Sequence, residues 1–305
     1  MAQAATGESI TSYLDPETVS RLGRLDLIAR RVVEGFITGL HRSPYHGFSA
    51  EFSEHRQYMP GDPLRDLDWK ALAKTDRLYV KQYEEETNLK AYLLMDASGS
   101  MAFQSEGRVS KFRYGCCLAA ALAFLMLRQR DAVGLMPYRE RPLTFVRPRS
   151  VSSHLHVLLK ELSQIEPESD TGMAPAFHDL AERLSRRGLV IVISDMLDDA
   201  DEVLKGLRHF RHRGHEVIVF HLLDPRERDL DFKRSDTRFV DLESGQVLQT
   251  QPWHIQREYG RLMDDLVKKY SRGCAEAGVD YVLLDTSTPF DVALSRYLVR
   301  RKKLG

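Results

Sequence analysis

Asp96, Ser98 and Ser100 stand at every second position of LKAYLLMDASGS (89–100), with Gly99 between the serines. An apolar run delivers the chain to Asp96, the pattern of a buried strand ending in a glycine-containing turn. Open α/β sheets present ligands at the carboxyl ends of such strands. One carboxylate and two hydroxyls so spaced can converge on a small hard cation, because oxygen donors suit magnesium. The same residues have a plainer use, in which Asp96 ends the strand and the serines cap the following helix. Two further apolar runs, LVIVISD and VDYVLLDTS, carry Asp195 and Asp285 at their ends. Strands entering a parallel sheet from one side finish on one edge, which brings Asp96 and Asp195 to a common crevice. The Thr171 hydroxyl joins them if its loop leads into the helix that feeds the Asp195 strand. Two unpaired carboxylates side by side favour a cation. Asp285, with Thr286 and Ser287, reads instead as a cap for the last helix region, and Asp224 as the start of an Asp-Pro turn.

The elements that must position these residues follow from periodicity. Asp15-Pro16 opens a helix whose apolar positions Val19, Leu22, Leu25, Ile28, Val32, Val33 and Phe36 share one face, ending near Thr38-Gly39. Residues 1–12 form a loose leader ahead of it, and 1–40 is taken as one N-terminal unit. Residues 41–88 are aromatic, charged and rich in turn residues, the texture of a small β-rich lobe. Within it a short helix begins at Asp62-Pro63 and a strand lies in RLYVKQYEEET. The lobe reads as a recognition surface or as polar strands covering a sheet edge. From residue 89 to 305, helix and strand alternate, the pattern of a doubly wound, mostly parallel α/β sheet. Helices are expected at about 110–130, 151–163, 174–188 (stopped by Gly188), 198–214 and 253–277, with a hairpin at RFVDLESGQVLQT.

Composition narrows the function. Lys+Arg and Asp+Glu are each 44, a formal balance of zero, so the chain lacks the basic excess of a general nucleic-acid binder. The longest apolar run, CCLAAALAFLML (116–127), is too short for a bilayer and fits a buried helix. No basic n-region with an apolar core begins the chain. The three cysteines, with no CxxC, suit a reducing cytoplasm better than disulfides or a thiolate zinc site. His154 and His156, and His209, His212 and His215, lie near helix ends and read as polar faces rather than zinc ligands. No Gly-x-x-x-x-Gly-Lys-Ser/Thr or Gly-x-Gly-x-x-Gly occurs, and DASGSM is not a Gly-x-Ser-x-Gly elbow. The terminal RRKK reads as a solvated end.

The pattern DASGS…T…SD resembles the metal-ion-dependent adhesion site of von Willebrand factor type A domains. Asp96, Ser98 and Ser100 match its first loop, Thr171 the threonine of the second and Asp195 the aspartate of the third; Ser169 is the nearby substitute for Thr171. Met196 stands where extracellular versions commonly carry glycine. The stretch YMPGDPLRDLDWKALAKTDRLYVKQYEEETN is similar to the signature of the domain-of-unknown-function-58 family, and the likeness covers roughly residues 45–290. The resemblance implies Mg²⁺ (or Mn²⁺ or Ca²⁺) in an incomplete shell that an acidic residue of a partner protein completes. It also implies work beside a MoxR-type AAA+ ATPase, as a chaperone-like or metal-insertion adaptor. Many relatives carry transmembrane helices, which this chain lacks, so no direct membrane insertion is expected. The reading is therefore a non-enzymatic, cytoplasmic adaptor. Its rivals are a Mg²⁺-dependent phosphoryl-transfer or phosphohydrolase enzyme and a structural scaffold with a vestigial metal site.

Overall fold

Alternating burial along the apolar runs decides the architecture, because successive side chains of a strand serve opposite faces of the sheet. The computed structural model describes residues 16, 24–42, 55–57, 79–81, 89–168, 173–184, 187–232, 237–242 and 245–304. Six strands form the main sheet: β3 (Lys90–Asp96), β4 (Ala132–Tyr138), β5 (Val146–Arg149), β6 (Leu189–Ser194), β7 (Glu216–Leu223) and β10 (Asp280–Asp285). Their order is β10-β7-β6-β3-β4-β5, parallel throughout except for β5, which runs antiparallel on the edge beside β4.

The four inner strands, β3, β4, β6 and β7, are buried on both faces and read as near-continuous apolar runs for that reason, whereas the edge strands β5 and β10 are less covered. Leu93, Met95, Ile191 and Ile193 enter one core with helices α1 (Leu25–Arg42), α2 (Lys111–Arg128), α3 (His154–Gln164) and α8 (Phe290–Leu304). Tyr92, Leu94, Val190 and Val192 enter the other, with α4 (Met173–Arg183), α5 (Ala200–His212) and α7 (Pro252–Glu276). This is the doubly wound, von Willebrand factor type A-like architecture expected from the alternation of elements.

The uniformly apolar stretch 116–127 lies in α2, between the sheet and α1, where every side of the helix needs apolar neighbours. Helix α1 supplies Ile28, Ala29, Val32, Val33 and Phe36 to that contact. It continues to Arg42, past the end expected at Gly39. The single helix expected from Asp15-Pro16 to Gly39 is interrupted: Pro16 is helical and buried, but Arg24 is not helical and α1 begins only at Leu25, with Val19 and Leu22 outside the described residues. Ahead of the main sheet, β1 (His55–Gln57) pairs antiparallel with β2 (Tyr79–Lys81), two of the short strands expected in 41–88. The leader, the Asp62-Pro63 helix and residues 82–88 lie outside the described residues. The expected hairpin forms as β8 (Thr237–Val240) and β9 (Val247–Thr250). A short helix not foreseen, α6 (Pro225–Asp229), follows β7. Among the described residues no helix is long and apolar enough to cross a membrane.

Gly188 has a different task from the one expected of it. Helix α4 ends at Arg183, so Gly188 does not cap it. Instead it passes so close to β3 that a Cβ there would fall on the Lys90 carbonyl and crowd the Tyr92 ring. Gly188→Ala must push β6 away from β3 at the start of their pairing. We expect it to destabilise the fold by about 1–3 kcal/mol, measured as a lowered urea midpoint with an unchanged m-value.

Candidate functional site

The chain builds β4 and β5 on one side of β3, then crosses to build β6, β7 and β10 on the other. The strand order reverses between β3 and β6, and a crevice opens at such a point beyond the strands' carboxyl ends. Asp96 ends β3 and Asp195 directly follows β6, so the two carboxylates flank that crevice, each only 1% exposed. Asp96 shares the strand parity of Tyr92 and Leu94, as Ser194 shares that of Val190 and Val192. The Ser194 hydroxyl accordingly donates to Asp96 Oδ2 at 2.6 Å.

The first loop is arranged around Asp96. The Ser98 backbone N–H donates to Asp96 Oδ1 at 2.9 Å, and the Ser98 and Ser100 hydroxyls lie 3.1 Å apart, both half-buried. Gly99–Ala102 forms a 3-10 turn, and Ser98 makes no side-chain cap to it. Helix α2 is capped elsewhere, by Ser110, whose hydroxyl accepts from the Arg113 N–H. The capping role considered for Ser98 and Ser100 is thus not the one they play. Ser98 hydrogen-bonds Asp96, and Ser100 hydrogen-bonds Asp195.

The approach to the second loop also reaches the site. The Glu168 N–H donates to the Ala97 carbonyl at 3.1 Å, and the Met173 N–H donates to Asp198 at 2.7 Å. Residues 169–172, with Thr171 and its alternative Ser169, lie outside the described residues. In the third loop Met196 is buried at φ 56°, the left-handed conformation that glycine adopts without a Cβ penalty. The Ser194 hydroxyl accepts the Met196 N–H, and Tyr270 Oη donates to its carbonyl, both at 2.9 Å. These bonds hold a conformation that a non-glycine residue adopts at some strain.

Lys111 and Glu227, which sequence reasoning passed over, and Asp224, which it read only as a turn, also enter the site. Lys111, in the first turn of α2, is fully buried, and its ammonium lies 2.8 Å from Asp195 and 2.6 Å from Glu227. Asp224, expected only as a turn, caps α6. It also takes the backbone N–H and the hydroxyl of Ser105, joining the first loop to the end of β7. A lysine heading a helix whose middle turns are wholly apolar was the available signal, since a charge buried there needs a partner. Asp285 lies on the sheet edge, two strands from β6, and accepts from Ser287 within its own turn, as a cap does.

Electrostatics separates the two aspartates. Burial, and then the charge of Asp195, push the Asp96 carboxyl up to about 7. Burial also opposes ionisation of Asp195, but the Lys111 ammonium and its hydrogen bond prevail and hold it below its ordinary value. Burial works against the charge of Lys111 as well, yet Asp195 and Glu227 outweigh it and raise its pKa. Burial raises Glu227. His221, beside Ser194 in the register of β7 and β6, is lowered to about 4 by burial, and its Nδ1 faces Tyr281 Oη at 2.5 Å.

These residues fit a hard divalent ion on the Asp96 side. Asp96 is an under-compensated carboxylate with two hydroxyls beside it, the donor chemistry such an ion takes. Among the described residues there is no cluster of three or more His, Cys, Asp or Glu that would hold a metal by itself. The hydroxyls must therefore complete the set.

Fold and site define a von Willebrand factor type A-like domain with an Asp-x-Ser-x-Ser loop at its switch point. The chain belongs to the family described as "Protein of unknown function DUF58", which matches residues 54–265. Uncharacterized proteins of Mycobacterium bovis and Mycobacterium tuberculosis are each 30% identical to it over 237 residues, 76% of this chain and 73% of theirs. Among solved structures, the conserved hypothetical protein BatB from Bacteroides thetaiotaomicron aligns with TM-score 0.48 at 18% identity, over 70% of this chain and 99% of that one. An aerotolerance-related membrane protein from Bacteroides fragilis aligns with TM-score 0.46 at 16% identity, over the same shares.

Because the folded-state pKa of Asp96 lies above its unfolded value, the native state binds more protons than the unfolded chain between about pH 4 and 7. Its contribution favours folding least at the upper end, so stability declines as pH rises through that window. We expect Asp96→Asn to flatten this slope in urea titrations at stepped pH. Removing the buried ammonium with Lys111→Met leaves two carboxylates unpaired and is expected to destabilise the fold by about 3–5 kcal/mol, read from the same titrations.

Proposed function

We propose that this protein is a non-enzymatic interaction adaptor whose switch-point site docks an acidic residue of a partner protein through Mg²⁺. The observation that carries the reading is Asp96, buried beside Asp195 with its carboxyl pushed up to about 7 while the Ser98 and Ser100 hydroxyls adjoin the pair. Asp96, Ser98 and Ser100 would hold the ion, with Thr171 from the second loop and Asp195 from the third. A hard cation with an open coordination position supplies an electrostatic anchor for a foreign carboxylate. The chain's own contribution is to orient the oxygens and exclude competing water by burying Asp96. The partner we propose is a MoxR-type AAA+ ATPase or its client, on the strength of the family resemblance, with the 41–88 lobe adding specificity beside the site.

Phosphoryl transfer is the rival that one observation favours. It needs a nucleophilic carboxylate with a charge-neutralising lysine, and Lys111 lies against Asp195. The ammonium, however, is fully buried and already engaged by two carboxylates, which suits a fixed counter-charge better than a group meeting substrate.

Capture from native lysate distinguishes the readings, run with Mg²⁺ or EDTA and with wild type or Asp96→Ala. A AAA+ ATPase retained by Mg²⁺-loaded wild type alone is the expected result; equal retention in all four arms removes the metal from the contact. Mg²⁺-dependent turnover of a generic phosphoester that is lost in Asp96→Ala would instead establish the enzyme.

A further inference from the structure

We propose that Lys111 is the resident counter-cation of this site, and that its ammonium shares Asp195 with a bound divalent ion and holds Glu227, tempering the negative charge that the ion meets. The proposal rests on the metal-site reading above and adds a residue that the adhesion-site pattern does not contain. Three observations carry it. The Lys111 side chain is fully buried, so its charge belongs to this cluster and not to solvent. It lies 2.8 Å from Asp195 and 2.6 Å from Glu227, both hydrogen-bonding distances. It also adjoins the first loop, its backbone N–H donating to the Phe103 carbonyl at 3.2 Å and its ammonium lying over the Phe103 ring, so the fixed charge sits beside the loop that carries Asp96, Ser98 and Ser100.

Charge balance gives this arrangement a consequence. Asp96, Asp195 and Glu227, all ionised around a metal, would present three negative charges to one ammonium. The excess of two matches a divalent cation, leaving the loaded site neutral and able to accept a further carboxylate from outside. Without the ammonium the loaded site would keep a negative charge, gripping the metal harder and repelling the carboxylate it is meant to receive. Lys111 thus weakens metal binding and keeps the bound ion receptive to an anion. It is a positioning residue, acting through Asp195 and Glu227.

The test is isothermal titration of Mn²⁺ alone into wild type, Lys111→Met and the double variant Lys111→Met/Glu227→Gln, with folding followed by circular dichroism. An added unneutralised charge a few ångströms from the ion is expected to tighten Mn²⁺ binding in Lys111→Met by roughly tenfold or more. The double variant restores the wild-type charge balance, so its affinity is expected to return toward wild type. A purely structural lysine would produce the opposite shift, since loosening the site weakens binding. If Lys111→Met unfolds in EDTA and refolds on adding Mn²⁺, the proposal stands. If Mn²⁺ fails to restore it while the double variant is folded, the proposal is overturned.

The two readings fail separately. Wild type that binds Mn²⁺ no more weakly than folded Lys111→Met overturns the role of Lys111 and leaves the metal site intact. Binding by Lys111→Met with none by wild type supports the lysine as the cation of this site and overturns the metal-dependent docking proposed above. No binding by any variant overturns both.

Discussion

The ion pair that Lys111 makes inside the protein ties together elements that the chain brings from far apart. Its ammonium joins the first turn of α2 to the loop after β6 and to the short helix after β7. The Ser105–Asp224 contacts add a second tie between the first loop and the end of β7. Burying three charges together is costly unless each is paired and hydrogen-bonded, and such clusters specify geometry more than they add stability. The three strand-end loops are therefore constrained to one arrangement, in which the ammonium pairs with Asp195 and Glu227 while Asp96 takes its hydrogen bonds from Ser194 and Ser98.

That constraint extends into the third loop. Met196 sits in the left-handed region, which favours glycine, and it is fully buried. Its N–H is held by Ser194 and its carbonyl by Tyr270, which belongs to α7. Ser194 also donates to Asp96. One hydroxyl thereby couples the strained loop to the carboxylate whose ionisation is most opposed, and a tyrosine from a distant helix supports the same loop. Ser194 and Met196 are thus the physical link between Asp96 and the α7 side of the core.

The adaptor reading rests on a division of labour between the carboxylates of this site. Asp195 is pre-neutralised by the protein itself, while Asp96 remains under-compensated. The asymmetry arises from the sheet: alternate residues face opposite cores, so the residue after β6 meets α2 while the end of β3 meets Ser194. A symmetric pair of unpaired carboxylates would call for the metal merely to fold. Here a lysine already answers part of that need, and the remaining charge is available for a ligand.

The sequence by itself determined the doubly wound alternation, the strand ends bearing Asp96 and Asp195, and the apolar α2, because periodicity and apolar runs report which faces are buried. It also located Ser98 and Ser100 beside Asp96, since their spacing within one loop is local information. What only the tertiary structure decided was the use of each group. Gly188 marked a helix end by its type, but the close approach of β3 is what requires it. Asp224 looked like a turn residue and is also an anchor for Ser105, 119 positions away. Lys111 was one charge at a helix start; the partners that make it part of the site come 84 and 116 residues later. Pairings across such separations follow from strand order, which no local pattern encodes, and strand order is what placed a fixed positive charge against Asp195.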